Sequence, residues 1–329
     1  MINVIIPDYN DVEHLPQALN SLVCQTHKYF YVTLVDDCSD NSEQIFEILK
    51  EYSNKLKINY IRRNTNGGCG EARQTGIDST PDNIDYITFL DCDDMLYPRA
   101  LDILYAEGKK NDADVVYSVI MSEQQGAPGD TITAQDNNAF MHGKLYKLSF
   151  LRKNNIRFLP GVRYNEDGYF NVVVSFFKEK GIAVDEITYL WRDNKQSTVR
   201  SCNYDIVGGP DYIYAQAKAV IDSSGHISKT ANELLMINVI NIYNQCQILN
   251  YYNIDYDHDI IKQLFEVPEV KTIWNKHNSR VALNNKLQGC KYTSRGFILF
   301  SQLFLDWVKQ FNTEAAEILM RSQHENSNT

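Results

Sequence analysis

The chain has 329 residues, 43% of them hydrophobic and 22% charged, with a formal net charge of −10 and a pI near 5.2. This composition describes an ordinary soluble globular protein, with material for one large domain or two modest ones. Its acidity is the wrong sign for a generic nucleic-acid binder. No apolar run approaches the ~18 residues of a membrane-spanning helix, and the N-terminus enters a strand without a basic leader. Seven cysteines with no CxxC pair fit reduced thiols in a cytoplasmic compartment, and seven scattered histidines with no HExxH leave zinc hydrolysis unsupported.

Residues 2–6 form a short apolar run broken at Pro7, which predicts a strand feeding a loop. Leu15, Leu19, Leu22 and Val23 then recur at helical spacing over 12–26. A second strand, Tyr31 to Val35, ends in Asp36-Asp37-Cys38-Ser39-Asp40. Ser42 is placed to cap a helix carrying Ile45, Ile48, Leu49 and Tyr52. A third strand, Ile58 to Ile61, leads into Asn66-Gly67-Gly68-Cys69-Gly70 and a helix over 71–78. The fourth strand, 86–90, is the apolar run Tyr86, Ile87, Phe89 and Leu90, and it ends abruptly in Asp91-Cys92-Asp93-Asp94. Strand–helix alternation four times over predicts a mostly parallel α/β sheet flanked by helices. Further along, the pattern predicts a helix near 98–110, a strand at 115–119, a loop over 122–138, a short helix near 144–154, a helix over 168–178 and a strand pair at 182–191. After Asn203 the chain reads as helical over 210–223, 229–250, 258–276 and 296–320. This gives a domain of residues 1–203 and a smaller helical domain of residues 204–329.

In a parallel sheet, Asp8, Asp36/Asp37, the glycine loop and Asp91/Asp93/Asp94 all reach the C-terminal edge, where open α/β sheets bind their ligands. Clustered carboxylates repel one another unless a cation sits among them, and an all-oxygen set suits Mg2+ or Mn2+. A solvated acidic turn is the alternative. The glycine loop matches neither a dinucleotide fingerprint, since Gly68-x-Gly70 follows the third strand and Arg73 stands at the last glycine position, nor a P-loop, since Glu71 follows Gly70.

These blocks together resemble the family 2 glycosyltransferases of GT-A fold. Pro7-Asp8-Tyr9-Asn10 resembles the family's Pro-x-Tyr-Asn opening, and Val35-Asp36-Asp37-Cys38-Ser39 its Val-Asp-Asp-Gly-Ser. Asn66-Gly67-Gly68 through Ala72-Arg73-Gln74-Thr75-Gly76 resembles its Asn-x-Gly…Ala-Arg-Asn-x-Gly, and the 91–94 block its Asp-x-Asp. Gly143-Lys144-Leu145-Tyr146-Lys147, Glu166-Asp167 and Trp191-Arg192 with Ser197 resemble the downstream segments, so the likeness covers roughly residues 1–200. Asp8 and Cys38 depart from the pattern, and Asp8 stands where it would alter which base or sugar is accepted.

The resemblance implies a metal-dependent, inverting transfer from a nucleotide-diphosphate sugar, a UDP-sugar, to an acceptor hydroxyl. On this reading Asp93 is the main metal ligand, and Asp91 contacts ribose or metal-bound water. Pro7, Tyr9, Asn10, Asp37 and Gly68 surround the nucleotide, with Tyr9 stacked on the base. Arg73 contacts base or phosphates, unless it pairs with a local acid, and Arg192 and Ser197 contact the diphosphate. Asp167 is the general base, with Glu166 as the close alternative. His142, beside the Lys-Leu-Tyr block, either lines the acceptor side or is a satisfied structural histidine, and it is kept out of the core set.

The acceptor implied is a surface or cell-wall glycan. The stretch 270–305 has no acid and carries Lys271, Lys276, Arg280, Lys286, Lys291 and Arg295. It therefore offers an anionic acceptor, a teichoic-type polymer or hydroxyl-bearing DNA, or a membrane surface a place to dock, unless it is simply a solvated basic face. A catalytically silent nucleotide-sugar or polymer-binding module is the rival from another class.

Overall fold

A computed structural model describes residues 1–123, 129–133, 140–194, 207–228, 231–273, 304 and 306–313. The chain divides into two compact units, residues 1–201 and 202–329.

The first unit is built on one mixed sheet. Its opening half alternates β1 (Ile2–Asp8), α1 (Leu15–Val23), β2 (Phe30–Asp36), α2 (Ser42–Tyr52), β3 (Ile58–Arg62), α3 (Cys69–Asp78) and β4 (Tyr86–Phe89). Then come β5 (Met95–Leu96), α4 (Ala100–Asn111), β6 (Val115–Ser122), β7 (Thr131–Thr133), β8 (Lys144–Lys147), α5 (Leu148–Lys153), α6 (Glu166–Phe177) and β9 (Gly181–Trp191). The strand order is β3-β2-β1-β4-β8-β6-β9-β5, with β7 on β6. Strands β1 to β4 are mutually parallel, and β6 and β9 are parallel to each other. β8 lies antiparallel between β4 and β6. Every residue of β1 and β4 is buried, as expected of central strands covered on both faces.

Several sequence expectations need correction. β1 does not stop at Pro7 but runs to Asp8. Ladder pairing with β4 ends at Ile5↔Phe89, with Leu90 N–H donating to the Ile5 carbonyl. Asp8 and its carbonyl turn toward β2, so the N–H that Pro7 lacks would face the side where β4 has already left the ladder. Residues 144–147 are a strand, with the helix confined to 148–153. The lysine inside it disguised the period: Lys144 is buried and gives its ammonium to the Phe140 carbonyl (2.7 Å) and Asn171 Oδ1 (3.2 Å).

The strand pair at 182–191 is one strand. Tyr117 pairs with Ala183 but Val119 with Ile187, so a bulge takes up the extra residues around Asp185 and Glu186, whose polarity reads as a turn. Within 122–138, Thr131–Thr133 is the strand β7.

Two glycines set how closely α3 can lie. A Cβ on Gly76 would sit 2.4 Å from Ile5 Cγ2, and one on Gly70 2.8 Å from Glu166 Cγ. Their absence lets α3 press against β1 on one side and bring its N-terminal turn to that of α6 on the other.

The second unit is helical: α7 (Gly209–Asp222), α8 (Asn232–Tyr251), α9 (His258–Glu266) and α10 (Pro268–Thr272). The single helix expected over 258–276 breaks at Val267, because Pro268 has no N–H to continue it. Ile213, Leu235, Val239, Tyr243, Leu264 and Trp307 are among its buried residues. Most of 296–320 and all of 274–303 lie outside the described residues, Lys276, Arg280, Lys286, Lys291 and Arg295 included; Lys271 lies in α10 and bonds Glu266 at 2.8 Å. Among the described residues no helix is long and apolar enough to cross a membrane.

Candidate active site

The acids gather where the parallel strands end. β4 delivers Asp91, Asp93 and Asp94 in a tight turn closed by Asp94 N–H donating to the Asp91 carbonyl, 3.0 Å. Asp91 accepts from Arg73 Nη2 at its Oδ1 (2.7 Å) and meets His142 Nε2 at its Oδ2 (3.0 Å). Burial pushes its carboxyl up, but Arg73 and His142 outweigh that and hold it well below the usual carboxylate range. Asp94 is buried; it accepts from Tyr189 O–H (2.7 Å) and from the Arg192 backbone N–H (2.8 Å), and burial raises it to about 7. Asp93 accepts from Asn194 Nδ2 at 2.8 Å, and burial and the neighbouring Asp91 push its carboxyl up.

Arg73 joins this turn to the Glu-Asp pair. Its guanidinium is 4% exposed, and Nη1 donates to Glu166 Oε1 at 2.9 Å while Nη2 holds Asp91. One cation on α3 thus bridges acids from the end of β4 and from the first turn of α6. The helix predicted over 168–178 begins two residues earlier, so Glu166 and Asp167 stand at its N-terminus. Burial raises both carboxyls, in each case against the pull of Arg73. Asp167 Oδ1 accepts its next neighbour's N–H, from Gly168, at 2.8 Å. Of the two, Glu166 is clamped by the guanidinium and Asp167 is not.

The β1 and β2 ends are laced together. Asp37 is buried; it accepts from Gly68 N–H (2.7 Å), from Gly67 N–H (3.1 Å) and from Arg63 Nη1 (2.7 Å), fixing the glycine loop. Asn10, in the left-handed region at φ 58°, accepts from Asp40 N–H (2.8 Å), and its own N–H donates to Ser39 Oγ (2.9 Å). Tyr9 beside it is 50% exposed, and Pro7 is buried within β1. Asp8 is 2% exposed with both carboxylate oxygens unpartnered, and burial, Asp11 and Asp36 push it up to about 7.

The structure therefore brings Asp91, Arg73 and Glu166 into direct contact, and Asp93 and Asp167 sit beside them in the chain. It places Asp37, Gly68 and Asn10 in a neighbouring loop cluster. Arg192 reaches the acidic turn through its backbone N–H, while its guanidinium pairs with Gln17 and lies 3.8 Å from Glu123. Ser197 lies outside the described residues.

Two residues were missed. His142, set aside in the sequence, stacks on Tyr189 (4.5 Å between centroids, 13° between planes) and forms with Asp91 and Asp94 a group whose ligand atoms all lie within 4.8 Å. Its position just before Gly143-Lys144-Leu145-Tyr146 was the available signal. Asn194 follows Arg192 by two residues in the closing stretch and drew no attention as an uncharged side chain.

The sequence model of glycosyl transferase family 2 matches residues 3–164, which include every element from β1 to α5 and stop just short of the Glu-Asp pair. Among curated proteins, the chain is 28% identical over 186 residues to the poly(ribitol-phosphate) beta-N-acetylglucosaminyltransferase TarP of Staphylococcus aureus, covering 52% of this chain and 56% of that protein. It is 30% identical over 198 residues to the poly(ribitol-phosphate) beta-glucosyltransferase of Bacillus spizizenii, covering 56% of this chain and 30% of that one. The chain thus spans about half the length of the first and under a third of the second. Among solved structures, residues 1–349 of S. aureus TarS in complex with UDP-GlcNAc align with a TM-score of 0.59 at 19% identity, covering 97% of this chain and 89% of that one. The same protein with UDP gives a TM-score of 0.62 at 18% identity, covering 85% and 87%. At such identity the likeness is one of fold, and the fold is the curled mixed sheet of the GT-A glycosyltransferases. With its strand order, its acidic turn and its family match in agreement, the chain belongs to glycosyl transferase family 2.

Proposed function

We propose that the protein transfers a sugar from a UDP-sugar to a hydroxyl of a cell-wall polymer, with inversion at the anomeric carbon and with Mn2+ or Mg2+ held at Asp93. The observation that carries this reading is the Asp91–Arg73–Glu166 bridge. It sets a donor-side acidic turn and an acceptor-side carboxyl pair at a fixed separation, which is what a direct displacement requires. The donor chemistry at Asp93 fits a hard divalent ion: the ligand is an oxygen, burial and the charge of Asp91 lift its carboxyl, and a cation would relieve that repulsion. A bound ion there supplies positive charge against the departing diphosphate.

The protein's own groups do the rest. Asp167 takes the proton of the acceptor hydroxyl as that oxygen attacks the anomeric carbon from the face opposite the diphosphate. The bond from that carbon to the diphosphate oxygen breaks, and UDP carries away the electron pair. Glu166, clamped by Arg73, fixes the turn from which Asp167 projects, and burial raises the Asp167 carboxyl in the direction a general base needs. The named activities of the relatives in Staphylococcus and Bacillus support a polyol-phosphate polymer as acceptor. The solved neighbours with UDP and UDP-GlcNAc support the uridine donor.

A panel of UDP-, GDP- and ADP-sugars, read by thermal shift with Mn2+ present, tests the reading. Ligand at 100 times its Kd adds about 2.7 kcal/mol to the native state. UDP-sugars should raise the melting temperature and Asp93→Ala should remove the response. A shift with GDP- or ADP-sugars alone, or full turnover in the presence of a chelator, would overturn it.

A further inference from the structure

We infer that Asn194 is a second oxygen ligand of the cation at Asp93, supplied by the chain immediately after β9. The inference rests on the cation site proposed above and adds a residue to it. Asp93 Oδ2 and the Asn194 amide nitrogen lie 2.8 Å apart. A half-turn about the amide's terminal torsion exchanges Nδ2 for Oδ1 at nearly the same place, and that torsion is soft. Oxygen ligands of an octahedral Mg2+ sit about 2.0–2.1 Å from the ion, so two adjacent ones lie about 2.9 Å apart. The Asp93–Asn194 spacing, which is that of an ordinary hydrogen bond, also fits two adjacent ligands of such an ion. In the structure the amide N–H faces the carboxylate, and the half-turn would present the amide oxygen in its place.

The neighbouring acids are committed elsewhere. Both Asp91 oxygens meet Arg73 and His142, and Asp94 accepts from Tyr189 and from the Arg192 backbone. That last bond pins the chain two residues ahead of Asn194 against the acidic turn, so the amide is delivered to Asp93 by a fixed backbone. The group Asp91, Asp94 and His142 is the competing position for an ion, and the test separates the two.

The experiment titrates Mn2+ into the full chain, with and without UDP, and reads free Mn2+ by electron paramagnetic resonance. Wild type is compared with Asn194→Ala, Asn194→Asp, Asp93→Asn and His142→Phe, and thermal unfolding in EDTA verifies that each is folded. Asn194→Ala should weaken Mn2+ binding about 10- to 100-fold, while Asn194→Asp, which keeps an oxygen and loses the N–H, should bind at least as tightly as wild type. A crystal structure with Mn2+ should place Asn194 Oδ1 at ligand distance.

If Asn194 only donates a hydrogen bond, Asn194→Asp loses affinity as Asn194→Ala does, and the inference falls. It falls equally if Asn194→Ala binds as wild type, or if the crystal shows the amide oxygen away from the ion. Loss in His142→Phe with normal binding in Asp93→Asn moves the ion to the other group. A wild-type protein that binds no Mn2+ in either condition removes the cation site itself and this ligand with it.

Discussion

Replacing Arg73 by methionine tests whether one buried cation holds the donor and acceptor halves together. Its guanidinium is 4% exposed and bonds Asp91 at 2.7 Å and Glu166 at 2.9 Å. Removing it leaves two carboxylates without their cation in a buried site, a loss that costs about 3–5 kcal/mol. For a unit of this size each kcal/mol moves the melting temperature by about 2–4 °C, so a fall of about 6–20 °C is expected. The loss should also depend on pH. In the wild type the depressed Asp91 contributes stability above the unfolded carboxylate range and loses it as pH falls through its folded value. Without Arg73 that contribution is gone, and Glu166, already raised by burial, rises further. The gap between the two proteins should thus be widest above pH 7 and narrow as pH falls toward the low folded value at which the wild-type Asp91 is neutralised as well. Differential scanning calorimetry across pH 4–8 measures it. A fall under about 2 °C, or one that is constant with pH, refutes the bridge as a structural link.

Asp8, buried with two unpartnered oxygens, has its carboxyl raised to about 7, so the penalty for its ionisation is absent at low pH and reaches its full value, about 4 kcal/mol, above pH 7. Asp8→Asn should therefore stabilise the protein at pH 8 and leave it unchanged at pH 4, as urea unfolding at the two values would show; equal differences at both would contradict this. Asp167→Asn should cut kcat by about 10²- to 10⁴-fold with UDP-sugar affinity kept. Glu166→Gln should cost less, and the reverse order in steady-state kinetics would exchange their roles. Gly76→Ala drives a methyl to 2.4 Å from Ile5 Cγ2 and should destabilise by about 1–3 kcal/mol, partly recovered in the Ile5→Ala background when both are followed by thermal unfolding.

The first half of the sheet was legible because its strands are short apolar runs punctuated by acids and glycines, and each signal is local. β8 was not, because a buried lysine sits in it. Its tolerance comes from Phe140 and Asn171, the latter brought in from α6. The bulge in β9 hides for a similar reason, since Asp185 and Glu186 carry turn chemistry that the register with β6 absorbs. At the site, the residue types were readable and their partners were not. Nothing near Arg73 in the sequence shows that its two acids lie 18 and 93 residues away. Asn194 escaped because its significance lies in which carboxylate it touches, and His142 because its place before Gly143-Lys144 does not reveal the acids it meets.

The acidic turn also has a consequence for the shape of the sheet. β4 and β5 are consecutive in the chain but stand four places apart in the strand order, with β8, β6 and β9 between them. In a flat sheet those four steps would separate them by about 19 Å. The chain from Phe89 to Met95 contains a hydrogen-bonded turn and reaches at most about 18 Å. The turn is thus a tether shorter than the flat distance it must cross, and the sheet has to curl to let it close. Its length sets curvature as well as carrying chemistry: a residue inserted at Cys92 would lengthen the tether and relax the curl it imposes, even with every acid still present.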